Sequence, residues 1–159
     1  MEYPQLLLPV LGNGLGNNNK QLGRVGELMV CFELEKLGYH TSLVEAEGYD
    51  IIVNILNKPI RLQVKSSGTI DKTSAKGKKP RYNFSTCVGK AKRKLTKEDT
   101  DIVALASTDK KAILFRPVEE ITGSTTKVAE SNFKDNAITR LSFERCLGYM
   151  ALPSKEDRL

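Results

Sequence analysis

Two apolar runs separated by a short turn govern the first half of this chain. They are Ile51-Ile52-Val53-Asn54-Ile55-Leu56 and Ile60-Arg61-Leu62-Gln63-Val64-Lys65-Ser66. Their β-branched content marks both as strands. The link, Asn57-Lys58-Pro59, is too short for anything but an antiparallel return. A third strand is expected from His40 to Val44, joined to the first run through Glu45-Ala46-Glu47-Gly48. Together they form an antiparallel meander. A helix is expected ahead of it, from Lys20 to Leu37, with Gly38 as its stop signal.

Beyond the meander the pattern is looser. The polar, Gly-containing stretch from Gly68 to Pro80 reads as a loop, Arg81 to Thr86 as a short strand, and Gly89 to Lys97 as a helical turn. Ile102 to Ala106 and Ala112 to Phe115 are two more strands, joined by the turn Ser107 to Lys110, and Pro117 opens a short helix. The expected fold is therefore α/β or α+β, a mixed sheet with flanking helices in the order α-β-β-β-basic insert-β-β. Residues 1–19 read as an arm, and residues 20–159 as a single domain carrying an insert at 68–97. A chain of 159 residues suits one such domain. Its three cysteines are widely spaced and odd in number, which excludes a disulfide framework or a zinc site and points to a reducing, cytoplasmic setting. No apolar stretch is long enough to span a bilayer.

The net charge of +6 is unevenly placed. Between Lys58 and Lys97 stand 13 Lys and Arg residues against a single acid, Asp71. Such a block attracts a polyanion, nucleic acid first; the alternative reading is a solvated loop that keeps the protein soluble. Lys72, Lys76, Lys78, Lys79, Arg81, Lys90, Lys92, Arg93 and Lys94 are the candidate phosphate contacts, joined by Ser66 and Ser67. Arg81, Tyr82 and Asn83 are candidates for base contacts.

Chemistry concentrates on the hairpin. Alternation along a strand puts Gln63 and Lys65 on one face and Leu62 and Val64 on the other. Asp50, at the mouth of the preceding strand, would lie beside Gln63 and Lys65. Stepping about 100° per residue along the helix places Glu27 within the stripe of Val30, Cys31, Leu34 and Leu37. A carboxylate facing a core needs a partner, and a cation shared with Asp50 would supply one. Gly23 and Gly26 would let the helix come close to the sheet. Magnesium takes oxygen ligands and keeps several waters, so two carboxylates and the Gln63 amide oxygen suit it; manganese is the alternative. Lys65 would steady charge on a phosphate, or orient or help deprotonate an attacking water. Each residue also has a plain reading: a helix-dipole carboxylate for Glu27, a turn residue for Asp50, a solvent face for Gln63 and Lys65. His40, the lone histidine, makes histidine-based hydrolysis a poor fit.

The pattern Gly26-Glu27, Tyr49-Asp50 and Gln63-Val64-Lys65, on a helix followed by three strands, resembles the PD-(D/E)XK nuclease superfamily. That resemblance implies that Glu27, Asp50 and Gln63 bind divalent metal and that Lys65 assists catalysis. Gln63 stands where the superfamily usually carries an acid. Gln there is characteristic of homing endonucleases encoded by bacterial group I introns, and Asp101-Ile102-Val103 followed by Ala112 to Pro117 resembles the same branch. The archaeal and phage Holliday junction resolvases share the Gly-Glu helix but carry Glu at that place. The resemblance, over residues 20–118, implies an endonuclease acting on double-stranded DNA. The alternatives are a nuclease for branched DNA and a non-catalytic DNA-binding module. Cutting both strands needs two active sites, so a homodimer or homotetramer is expected, with the apolar tail from Leu141 to Leu152 as a contributor.

Overall fold

The computed structural model describes residues 19–72, 77 and 79–155. The expected arm lies outside these residues except for Asn19, which opens the first helix, α1 (Asn19–Lys36). The helix ends where Gly38 takes a φ of +83°. The N–H groups of Gly38 and Tyr39 return to the carbonyls of Glu35 and Leu34 at 2.8 and 3.0 Å. That pair of bonds is a Schellman cap, and Tyr39 joins Leu34 in the same core cluster. The chain then enters β1 (Thr41–Leu43), β2 (Ile51–Ile55) and β3 (Lys58–Ser67), which pair as the expected meander. The tight turn falls on Leu56 and Asn57, at φ of 49° and 64°. Two residues in this left-handed region match the twist of paired strands, so Lys58 and Pro59 already belong to β3.

After β3 the chain leaves the sheet and builds β4 (Arg81–Ser85), β5 (Cys87–Val88) and β6 (Arg93–Lys94). It returns as β7 (Ile102–Ser107) and β8 (Ala112–Pro117), followed by a 3-10 turn at Val118–Glu120, β9 (Thr125–Ala129) and α2 (Ala137–Tyr149). The main sheet has the order β1-β2-β3-β7-β8. It is mixed, because β3 and β7 run parallel, from Leu62↔Ile102 to Ser67↔Ser107, while the other neighbours run antiparallel. β4 pairs with β9 and β5 with β6 in two small ribbons. The helical turn expected at 89–97 is thus a hairpin: Gly89 and Lys92 take φ of 72° and 50°, and the Lys92 N–H bonds the Gly89 carbonyl at 3.1 Å.

Alternation divides the interior into two layers. Leu62, Val64, Ile102, Ala104 and Phe115 pack beneath α1 and α2 with Val30, Leu34 and Phe143. Val103, Leu105 and Leu114 face the other way, onto Tyr82, Phe84, Leu95, Val128 and Phe133. Gln63 and Lys65 are in register with Val103 and Leu105, so they project into the layer made by the insert and β9. The apolar tail gives Phe143, Cys146 and Leu147 to the first layer and leaves Leu141 and Tyr149 exposed. Here α2 also closes the outer edge of β8: Thr139 Oγ1 accepts the Ile113 N–H at 3.0 Å and Ser142 Oγ accepts the Phe115 N–H at 2.9 Å. On the opposite face of α1, Val25, Leu28 and Phe32 remain exposed at helical spacing. Among the described residues no helix is long and apolar enough to cross a membrane.

Candidate active site

β3 outlasts β2. Their pairing ends at Ile51↔Leu62, and Asp50 stands at the point of separation. Its backbone N–H still bonds the Leu62 carbonyl at 2.8 Å. Its side chain then takes over the role of a strand: Oδ2 accepts the Val64 N–H at 2.7 Å and a bond from Gln63 Nε2. The carboxylate therefore caps the bare edge of β3 and is locked beside Gln63. Burial pushes the Asp50 carboxyl up to about 6; the Val64 N–H opposes this, the negative charge of Glu27 adds to it, and Lys65 pulls it back.

Lys65 is half-buried, and its Nζ donates to the Cys87 carbonyl at 2.8 Å. Burial lowers its pKa, against the opposing pull of Asp50 and Cys87. Glu27 is only a quarter exposed and pairs with Arg24 at 3.0 Å. A guanidinium from the preceding turn thus partners this carboxylate, in addition to the metal ion expected from the sequence. Its charge nevertheless acts on Asp50. The close approach of α1 belongs to Gly26, where a Cβ would stand 1.8 Å from Ser66 Oγ; a Cβ on Gly23 would meet nothing within 4 Å among the described residues, so Gly23 is not needed for it.

Among the described residues no group of three or more His, Cys, Asp or Glu gathers to hold a metal. The available donors are two carboxylates, Glu27 and Asp50, and the Gln63 amide, all supplying oxygen. That set fits magnesium, which needs one or two protein carboxylates and retains water.

The other expected residues separate into groups. Lys72, Lys79, Lys90, Lys92 and Lys94 are exposed, whereas Lys76 and Lys78 lie outside the described residues. Arg93 is held by Asp99 through a two-pronged pair at 2.8 and 2.7 Å. Arg81 stands 4.0 Å from Asp71, and Asn83 donates to Asp71 at 3.0 Å. Tyr82 is fully buried with its hydroxyl on Asp109 at 2.6 Å, so it is a core residue rather than a base contact. The serines also turn inward. Ser66 Oγ is buried without a hydrogen-bond partner among the described residues, and Ser67 Oγ reaches the Thr69 carbonyl at 3.4 Å. Ser66 and Lys65 line an open cavity of about 450 Å³, together with Asn19, Leu22, Asn83 and Ser85. Sequence reasoning missed Cys87, whose contribution is a backbone carbonyl and leaves no side-chain signature. It also missed Asp99, although the acids directly after the basic block were a visible signal.

A helix leading into a meander, with a long insert and a returning hairpin, is an endonuclease-like fold, as expected from the sequence. A solved structure similar to it is that of a bacterial homing endonuclease, I-Ssp6803I, with a TM-score of 0.58 and 16% identity over 84% of this chain and 98% of that one. The sequence matches no protein-family model and no curated protein.

Proposed function

We propose that this chain is a magnesium-dependent endonuclease of the PD-(D/E)XK kind that hydrolyses phosphodiester bonds in double-stranded DNA, of homing type. The observation that carries the reading is the convergence of Asp50, Gln63 and Lys65 where β2 and β3 part, with the charge of Glu27 acting on the same carboxylate. The likeness of the whole fold to a homing endonuclease supports it.

Glu27, Asp50 and the Gln63 amide oxygen would hold the cation. Gln63 directs its nitrogen to Asp50; turning the amide over exchanges nitrogen for oxygen with no change of shape. A bound magnesium supplies Lewis acidity toward a phosphoryl oxygen and lowers the pKa of a coordinated water. Lys65, fixed by the Cys87 carbonyl, keeps further N–H donors for a phosphate oxygen or the attacking water. The cavity beside it offers room for a sugar-phosphate unit. The exposed lysines of the insert would bind flanking phosphates without reading sequence.

Incubation with supercoiled plasmid, and with DNA from the intron insertion locus, in magnesium is expected to give cleavage that EDTA stops. Lys65→Ala should lower the rate about 100- to 10,000-fold while DNA binding persists. Equal cutting by this variant would refute the assignment.

Cleavage of both strands calls for two sites, and the exposed stripe Val25, Leu28 and Phe32 on α1 is the surface that would bring two copies together. Sedimentation should then show a dimer or tetramer. The double variant Leu28→Asp, Phe32→Asp should sediment as a monomer; an unchanged oligomer would exclude this stripe.

A further inference from the structure

The basic hairpin is tied to the proposed active site by one buried acid. Arg93, on β6, lies opposite Val88 of β5, next to Cys87. Its guanidinium grips both oxygens of Asp99, whose side chain is only 8% exposed. Asp99 Oδ2 also accepts from the Thr96 backbone N–H at 2.9 Å and the Thr96 hydroxyl at 3.2 Å. The Arg93 hydrogen bonds hold the Asp99 carboxyl well below the usual carboxylate range. On its other side Asp99 touches the turn that delivers Asp50: a Cβ on Gly48 would stand 2.9 Å from Asp99 Cβ. The tip of the hairpin rests on the same turn, where a Cβ on Gly89 would stand 3.0 Å from Glu47 Oε1.

We propose that the Arg93–Asp99 pair is a positioning device for catalysis, bracing at once the hairpin whose Cys87 carbonyl holds Lys65 and the Gly48 turn that presents Asp50. Arg93 then acts through Lys65 and Asp50 and not by contacting phosphate, although it stands among the cations of the insert. This inference rests on the proposed nuclease activity for its kinetic consequence but not for its geometric one.

Charge separates the two roles. Asp99→Asn removes a negative charge from beside the basic hairpin, so a purely electrostatic role predicts equal or tighter DNA binding and no loss of turnover. Positioning predicts that kcat falls roughly 10- to 100-fold with KM nearly unchanged. Arg93→Lys, which keeps the charge but loses the fork, should behave the same way; its side chain is half-exposed, so it serves if Asp99→Asn does not fold. In a Lys65→Ala background either substitution should lower kcat by a smaller factor than in the parent, because the part carried through Lys65 is already lost, whereas a general loss of structure would lower it by the full factor again. A readout independent of activity is acylation of Lys65 by an amine-reactive ester, measured by mass spectrometry against exposed Lys90 in the same molecule. Lys65 should label more slowly than Lys90 in the parent and several times faster in either variant. Unchanged kcat, whatever happens to binding, or unchanged Lys65 labelling, overturns the proposal. If the parent cuts no DNA, the nuclease reading fails, and the labelling alone decides the positioning claim.

Discussion

Asp50→Asn is expected to abolish magnesium-dependent cleavage and, at neutral pH, to raise the melting temperature. The two effects have one cause. The folded protein holds this carboxyl at about 6, above its ordinary 3.8, chiefly because burial penalises the charge. A raised carboxyl pKa stabilises the fold below the unfolded value, and that stabilisation is lost as pH rises toward the folded value. An asparagine, neutral throughout, escapes the loss. The gain should be near zero at pH 4, grow between pH 4 and 6, and level off above that. Two units correspond to about 3 kcal/mol; partial solvent access reduces this to about 2 kcal/mol, or roughly 4–8 °C in a chain of this size. Magnesium should reverse the order, since an ion bound only by the folded parent stabilises it by mass action. Melting curves from pH 4 to 8, with and without magnesium, check all of this. A variant no more stable than the parent at pH 7.5 would mean that Asp50 is not held at a cost.

Gly26→Ala should weaken both stability and activity. The new Cβ would overlap Ser66 Oγ at 1.8 Å and Ser66 Cβ at 3.0 Å, and β3 cannot yield because it is hydrogen-bonded to β7 along its whole C-terminal half. The helix must therefore lift, at a cost of roughly 1–3 kcal/mol. Glu27, the next residue on α1, moves with it, so cleavage should fall more than the lost stability accounts for. Ser66→Gly should restore much of the melting temperature in the double variant, since it empties the contested space. Denaturant unfolding and cleavage rates measured on the three proteins test this; additive losses would show that the two residues do not meet.

Several parts of this fold were legible in the residues. The meander followed from β-branched runs and short turns, and the Gly38 cap from its place after the last helical repeat. That Gln63 and Lys65 share a face followed from alternation, and the place of Asp50 beside them from the hairpin. What stayed hidden depends on partners remote in sequence. α2 was obscured because Thr139 and Ser142 occupy buried positions, where they bond the edge of β8; hydroxyls at these places break the apolar rhythm that marks a helix. β9 was unreadable because its partner, β4, lies 40 and more residues earlier. The charge pattern located the basic block but could not separate Arg93, occupied by Asp99, from its exposed neighbours Lys92 and Lys94.

The parallel contact between β3 and β7 has an evolutionary corollary. Everything between them is a single crossover whose ends are pinned by six registered pairs. Lengthening such an excursion is cheap, about 0.6 kcal/mol for each doubling of a flexible segment. The connection ahead of β4 could thus lengthen while the alignment of Gln63 with Lys65 stays intact. Length can thus vary within the excursion, while the strands at its two ends hold Gln63 and Lys65 in place.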